Sequence, residues 1–135
     1  MILNDVSERK RLDTERDKFQ TAVEQAAEAI VISDLMGNVQ YVNPAFERVT
    51  GYSREESLDR NISFLKSGQH DQAFYREIWE TITGGQTWKG RIVNKRKDGS
   101  LFTEDVTISP VVDFEENIIN YVAIKREISE RRLEA

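Results

Sequence analysis

The chain has 135 residues, a length that favours one domain with its own hydrophobic core over two domains. Its residues are 39% hydrophobic and 32% charged, and its formal net charge is −5, so we expect no nucleic-acid partner and no direct membrane contact. Because there is no cysteine and only one histidine, His70, the sequence excludes disulfides, cysteine nucleophiles, cysteinyl–flavin photochemistry and multi-histidine metal sites, and we expect no metal.

Neither a membrane span nor a signal peptide is visible. The longest apolar run, Ala29–Ile32, is far shorter than the roughly 20 residues that a helix needs to cross a bilayer. The N-terminus carries mixed charge, unlike a secretory signal. We therefore expect a cytoplasmic domain, without excluding a membrane-anchored parent protein.

Residues 5–30 are predicted to form a helix. Leu12, Phe19 and Ala26 recur every seven residues, and the positions around them are densely charged with both signs. So narrow an apolar stripe between charged flanks is typical of a coiled-coil seam. We expect a homodimer through this helix; the alternative is an amphipathic helix that packs only on its own domain.

The next segments are short and well delimited. Asn43 and Pro44 are suited to the N-cap and first position of a helix that Gly51 ends, and Ser53 with Glu56 forms a capping box. The patterns predict two strands joined by a hairpin loop, two short helices and a loop: Ala29–Asp34, Val39–Asn43, residues 44–50, residues 53–57 and Asn61–Gln69.

The second half is predicted to contain one helix and three strands. Asp71 caps the helix, and Asp98-Gly99 between two alternating runs predicts a type I′ hairpin turn, in which both central residues have positive φ. Asn117 is expected to take a left-handed conformation before the last strand. That strand is apolar on both faces, so we expect it at the centre of the sheet with the N-terminal helix over its outer face. The predicted elements are Asp71–Thr83, Trp88–Asn94, Leu101–Pro110 and Ile118–Ile128.

A short repeat links the two ends of the chain. Asp5–Lys10 (DVSERK) is matched 122 positions later by Glu127–Arg132 (EISERR). A repeat of about domain length suggests a tandem array, in which the end of one domain leads into the entry helix of the next. We therefore expect residues 1–28 to be a linker or coiled-coil helix after a preceding domain, residues 29–128 to be the domain itself, and residues 129–135 to begin a C-terminal signalling helix.

A series of short motifs follows in order across residues 20–132. They are Ala29–Asp34, Gly37-Asn38, Tyr41–Phe46, Thr50–Ser53, Ser67–Asp71, Trp88–Gly90, Asn94–Gly99, Ile108–Val111 and Glu127–Arg131. Together these motifs resemble those of PAS domains. The resemblance implies an α+β fold with a five-stranded antiparallel sheet of order 2-1-5-4-3 and short helices on one face, around a small pocket. It also implies neighbouring PAS and output domains in one bacterial signalling protein, most often a sensor histidine kinase of a two-component system or a diguanylate cyclase.

At several positions this sequence differs from PAS domains that bind a cofactor, and these differences indicate which cofactors to expect. Ile62 stands where light-sensing flavin domains have the photoreactive cysteine, and Glu104 and Lys125 replace amides that contact the flavin, whereas Asn94 is retained. Redox-sensing flavin PAS domains share the segments around Trp79, Trp88 and Asn94, which leaves FAD open. Haem-binding members need a histidine on the long helix; His70 precedes that helix, so haem is not expected.

Glu104 and Lys125 are expected to point inward from neighbouring strands. Because an isolated buried charge costs several kcal/mol, each needs a partner. In the simpler interpretation they pair with each other and the domain holds no cofactor; in the other they face a small polar ligand. The candidate pocket residues are Asn61, Trp79, Trp88, Asn94, Glu104 and Lys125.

No nucleophile–base pair and no glycine-rich phosphate loop is visible, so we expect no catalysis in this domain. We expect a sensory and dimerisation module that relays a ligand, redox or partner signal to an output domain through Glu127, Ser129 and Arg131. A base of the hairpin tip is expected to pair with Glu127. The alternatives are an FAD redox sensor and a ligand-free structural spacer.

Overall fold

The computed structural model describes the backbone of residues 2–128 and the side chains of residues 14–128. After one long N-terminal helix come two strands, a group of shorter helices, and three strands. In chain order they are α1 (Ile2–Gln25), β1 (Ala29–Ser33), β2 (Val39–Val42), α2 (Pro44–Thr50), α3 (Arg54–Ser57), a 3₁₀ helix (Ile62–Leu65), α4 (Gln72–Thr83), β3 (Trp88–Lys95), β4 (Leu101–Val112) and β5 (Ile118–Ile128).

The five strands form one sheet in the order β2-β1-β5-β4-β3, with every neighbouring pair antiparallel, which confirms the predicted fold. β5 lies at the centre, as its apolar sequence predicts. Its Ala123 pairs with Val31 of β1 and its Lys125 with Val106 of β4. The inner face of the sheet packs against the helices, so side chains that alternate inward on β3, β4 and β5 meet in one place.

The core lies between this inner face and the helices in two clusters. One joins β1 and β2 to α2 and the 3₁₀ helix, and the other joins α4 to β3 and β4. Their buried members are Ala29, Val31, Val39, Val42, Phe46 and Leu65 in the first cluster, and Ile78, Ile92 and Val106 in the second.

Asn43 joins the end of α1 to the domain. Its side-chain oxygen accepts hydrogen bonds from the backbone N–H groups of Ile30 and Phe46, as expected for the N-cap of α2. Its amide nitrogen donates to the carbonyl oxygens of Val23 and Glu28. Because the side chain is fully buried and all four of its bonding positions are used, Asn43 fixes α1, β1 and α2 relative to one another.

Helix α1 ends at Gln25, not at residue 30 as predicted, because the chain from Ala29 onward pairs with β5. The expected cover of the outer sheet face by α1 is also not found. Side chains 14–22 of α1 are exposed, and Ile124 on the outer face of β5 remains exposed as well. No helix among the described residues is long and apolar enough to cross a membrane.

Turns and loops differ from the sequence prediction in three places. At the β3–β4 turn only Gly99 has positive φ, with Arg96 and Ser100 closing a longer loop, so the type I′ prediction is wrong. Glu116, not Asn117, takes the left-handed conformation before β5, because Asp113 accepts hydrogen bonds from the following backbone and fixes the turn one residue earlier. The predicted loop after residue 61 contains the 3₁₀ helix, which Asn61 caps.

Candidate ligand cavity

A cavity of about 150 Å³ lies between the inner face of the sheet, α4 and the 3₁₀ helix. Its apolar walls are formed by side chains that alternate inward along the strands and by side chains on one face of α4. Five of these apolar residues are Val31, Ile78, Ile92, Val106 and Ala123, and polar groups enter among them from β3, β5, α4 and the loop around residue 66.

A buried polar network forms one end of the cavity. The Lys125 ammonium lies 3.6 Å from a carboxylate oxygen of Glu104, and the Asn94 amide donates to the same oxygen at 2.9 Å. Glu104 is 1% exposed and Lys125 is 5% exposed. The two charges therefore pair with each other, the simpler of the two arrangements that the sequence suggests.

The pairing leaves Lys125 incompletely satisfied. An N–O distance of 3.6 Å is too long for a hydrogen bond, and Lys125 makes no side-chain hydrogen bond to any other residue that the structure describes. An ammonium group has three donors. Because Lys125 also lines the cavity, its unused donors are available to whatever occupies that space.

The structure brings four of the six predicted pocket residues to the cavity wall: Asn61, Trp79, Asn94 and Lys125. Asn61 is engaged with backbone on both sides, donating to the Met36 carbonyl and accepting from the Ser63 N–H.

Two of the six candidates lie off the wall. Glu104 lies behind it, beneath Lys125 and Asn94. Trp88 folds back along its own strand, so that a Cβ added at Gly90 would lie 2.6 Å from the indole, and its ring meets Phe74 edge-on at 5.9 Å.

Lys66 and Tyr75 also line the cavity, although the sequence analysis did not select them. The Tyr75 hydroxyl is buried without a hydrogen-bond partner among the described residues, and burial raises the pKa of Tyr75. The Lys66 ammonium lies 4.2 Å from the centre of the Tyr75 ring. Helical spacing with Ile78 and Trp79 is a signal that places Tyr75 on the inner face of α4, whereas Lys66 lies in a loop without periodicity.

His70 has a structural position outside this cavity lining. Its Nε2 accepts a hydrogen bond from the backbone N–H of Val93 at 2.9 Å, and its ring stacks on Phe74 with centroids 3.9 Å apart. Its Nε2 is thus engaged by the backbone of β3, which fixes the ring beside Phe74.

The end of β5 is tied to the β3–β4 turn. Arg96 forms a salt bridge with Glu127, and its Nε donates to the Val49 carbonyl of α2 at 2.9 Å. This confirms the expected pairing of Glu127 with a base of the hairpin tip. Ser129 and Arg131, the other predicted relay residues, lie outside the described residues.

Lys97 makes a second link between the turn and the helices. Its ammonium donates to Glu56 of the α3 capping box at 2.6 Å, and this hydrogen bond is the main reason that the pKa of Glu56 falls to about 2. The turn, the helices and the end of the central strand are therefore connected by charged side chains.

Comparison with known proteins identifies the family. The family model described as "PAS domain" matches residues 27–130. The chain belongs to the PAS domain family. The fold, the sheet order and the inner cavity described above agree with that membership.

Relatives of this PAS domain are signalling proteins. It is 41% identical over 111 residues to the nitrogen fixation regulatory protein of Klebsiella oxytoca, covering 82% of this chain and 22% of that protein. It is 31% identical over 117 residues to hybrid signal transduction histidine kinase L of Dictyostelium discoideum, covering 87% of this chain and 7% of the kinase. The chain thus spans about a fifth or less of the length of these relatives.

Solved structures of the same fold include light-oxygen-voltage proteins. An RNA-binding light-oxygen-voltage receptor superposes with a TM-score of 0.81 at 31% identity, over 87% of this chain and 34% of the receptor chain. A light-oxygen-voltage domain studied with a flavin analogue has a TM-score of 0.76 at 28% identity, over 87% of this chain and 89% of that one.

Charge reversal at Glu127 tests the link between β5 and the turn. Glu127→Arg places two guanidinium groups together, so we expect a loss of about 1 kcal/mol of unfolding free energy, small because the pair is partly exposed. Urea denaturation measures it, with Glu115→Arg in the exposed 113–117 loop as the matched control. Equal midpoints for Glu127→Arg and the wild type would contradict the role of this salt bridge.

Proposed function

We propose that this PAS domain is a sensory and dimerisation module that binds a small polar molecule in its inner cavity and relays occupancy to an output domain. The position of Lys125 on β5 is the observation that carries this proposal. Tyr121, Ala123 and Lys125 line the cavity from one face of the strand, and Glu127 follows on the same face near its end. Lys125, which would contact the ligand, and Glu127, from which the signal would leave the domain, are therefore two residues apart.

A relay requires two arrangements that a ligand stabilises differently. In the arrangement described here Lys125 pairs with Glu104, and Glu104 lies opposite Glu127 in the β4–β5 register. A ligand that draws Lys125 away from Glu104 changes the charge balance beside Glu127. The Arg96–Glu127 salt bridge then transmits the change to the β3–β4 turn and α2.

The output domain is proposed to be a histidine kinase or a diguanylate cyclase in the same cytoplasmic protein. Similarity to a hybrid histidine kinase supports the first choice. Within this scheme, residues 1–28 connect to a preceding domain, residues 29–128 form the sensor, and residues 129–135 begin the signalling helix. Catalysis belongs to the output domain.

A thermal-shift screen tests whether the cavity binds a ligand. A compound that binds only the folded state raises the melting temperature with its concentration. The panel contains neutral, cationic and anionic molecules of about six to eight non-hydrogen atoms, close to the size of benzene, which a cavity of this volume admits. We expect at least one class to give a shift with the wild type.

Two substitutions on β5 make the screen specific. Ala123→Leu fills the cavity and is expected to abolish the shift, whereas Val122→Leu, on the outer face of the same strand, retains it. The absence of any shift with the wild type would favour the ligand-free spacer and contradict the proposal. A shift of equal size in Ala123→Leu would also contradict it.

An FAD redox sensor is the second candidate, favoured by the similarity to a light-oxygen-voltage domain studied with a flavin analogue. Asn94 and Trp79 lie in the wall as that candidate requires. The cavity volume argues against it: about 150 Å³ suits a molecule of the size of benzene, and a tricyclic flavin ring is several times larger. The residues as they stand therefore do not fit the flavin ring.

The absorption spectrum of the purified protein decides between these candidates. We expect no flavin bands, because a cavity of about 150 Å³ is too small for the ring. Bands of an oxidised flavin that are released with the cofactor on denaturation would contradict the small-ligand proposal and favour the redox sensor.

Dimerisation is proposed to use α1. Phe19, on the predicted seam, is 75% exposed in the single chain. We expect Phe19→Glu to shift the protein towards monomer in light scattering, because a charge at a core position of a coiled coil is unfavourable. Thr21→Glu is the matched control on the opposite side of the helix. A wild-type protein that stays monomeric at high concentration would refute the dimer.

A further inference from the structure

We propose that the cavity ligand is a short aliphatic monocarboxylate whose carboxylate is bound by Lys125. This inference rests on the proposed function and adds the chemical class of the ligand. It is argued from the charge of the cavity, from its unused hydrogen-bond donors, and from its volume and walls.

The charge around the cavity favours a monoanion. Two ammonium groups, Lys66 and Lys125, line it, and Glu104 is the carboxylate that balances them. Within the described part of the chain, Lys66 has no carboxylate within salt-bridge distance; it lies over the Tyr75 ring instead. Lys66 is exposed, so solvent partly screens its charge; with it the local sum is one positive charge, which one carboxylate neutralises. A cation would increase the imbalance, and a dicarboxylate would reverse its sign.

The polar groups without partners are donors. Lys125 has unused N–H donors, and the Tyr75 hydroxyl is buried with no partner among the described residues. Buried donors without acceptors cost free energy, which a ligand oxygen recovers. A carboxylate supplies two acceptor oxygens and no donor. An ammonium or amidinium ligand supplies only donors and leaves these groups unsatisfied.

The rest of the cavity selects an aliphatic tail. Side chains of Val31, Leu65, Ile78, Ile82 and Ile92 line the cavity together with Lys125. A volume of about 150 Å³ admits a benzene-sized molecule, so the tail is limited to about three to five carbon atoms beyond the carboxyl carbon. Pentanoate satisfies the charge, the donors and the volume together.

Isothermal titration calorimetry of the folded chain tests the proposal with defined probes. Butyrate, pentanoate and hexanoate are compared with pentanamide, which has nearly the same shape without the charge, and with succinate. We expect pentanoate to bind at least tenfold more tightly than pentanamide and succinate. Because this comparison uses the wild type, it does not depend on the folding of any variant.

Substitutions then assign the binding to Lys125. We expect Lys125→Met to weaken pentanoate binding at least tenfold, while Lys89→Met, at an exposed position of β3, leaves it unchanged. Glu104→Gln removes the internal competitor for Lys125, so we expect tighter binding of pentanoate. Circular dichroism checks that each variant folds.

The outcomes separate this inference from the function on which it rests. Equal affinity for pentanoate and pentanamide, tighter binding of succinate, or unchanged binding in a folded Lys125→Met variant would overturn the monocarboxylate. If another class of compound binds in a manner that Ala123→Leu abolishes, the sensory cavity stands and the monocarboxylate fails. If nothing binds, both fail.

Discussion

The buried pair of Glu104 and Lys125 is the constraint on which the rest of this structure depends. Two charged side chains on the central strands of a small sheet are costly to desolvate, and replacing such a pair by well-packed apolar residues is often neutral or stabilising. The pair is therefore poorly explained as a source of stability. It places a charged group at the cavity instead: Lys125 lines the cavity and is held there by Glu104 without being fully bonded.

The strand that carries Lys125 is connected to several other elements of the domain. β5 is central, and Lys125 lies opposite Ala29 of β1 and Val106 of β4. The same strand ends beside Arg96, which contacts Glu127 and the end of α2. At its other end the domain holds α1 through Asn43 and through the Tyr41 hydroxyl, which donates to Glu24; burial and then this hydrogen bond raise the pKa of Tyr41 to about 12. The end of α1 and the end of β5 are thus both attached to elements that border the core.

Much of the site followed from local rules in the sequence. Period-2 alternation placed Asn94, Glu104 and Lys125 on inner faces, and cap residues such as Asn43 and Ser53 fixed the helix starts. The order of the strands came from the family resemblance. Alternation gives the face of a residue and not the direction of its side chain along the strand, which is why Trp88 lies over Gly90 and away from the cavity. The position of Lys66 at the cavity could not be predicted, because a loop has no periodicity. The path of α1 could not be predicted either, because it depends on a long-range hydrogen bond from Asn43.

Amide hydrogen exchange tests the central claim most directly. It is measured with and without a saturating concentration of the compound that gives the largest thermal shift. Cavity occupancy is claimed to change the end of β5. The account predicts slower exchange in the cavity-lining parts of β3 and β4, together with faster exchange at residues 96–100 and 126–128, where the Arg96–Glu127 salt bridge lies. Protection confined to the cavity lining, with unchanged exchange at both of those segments, would contradict a relay through the central strand.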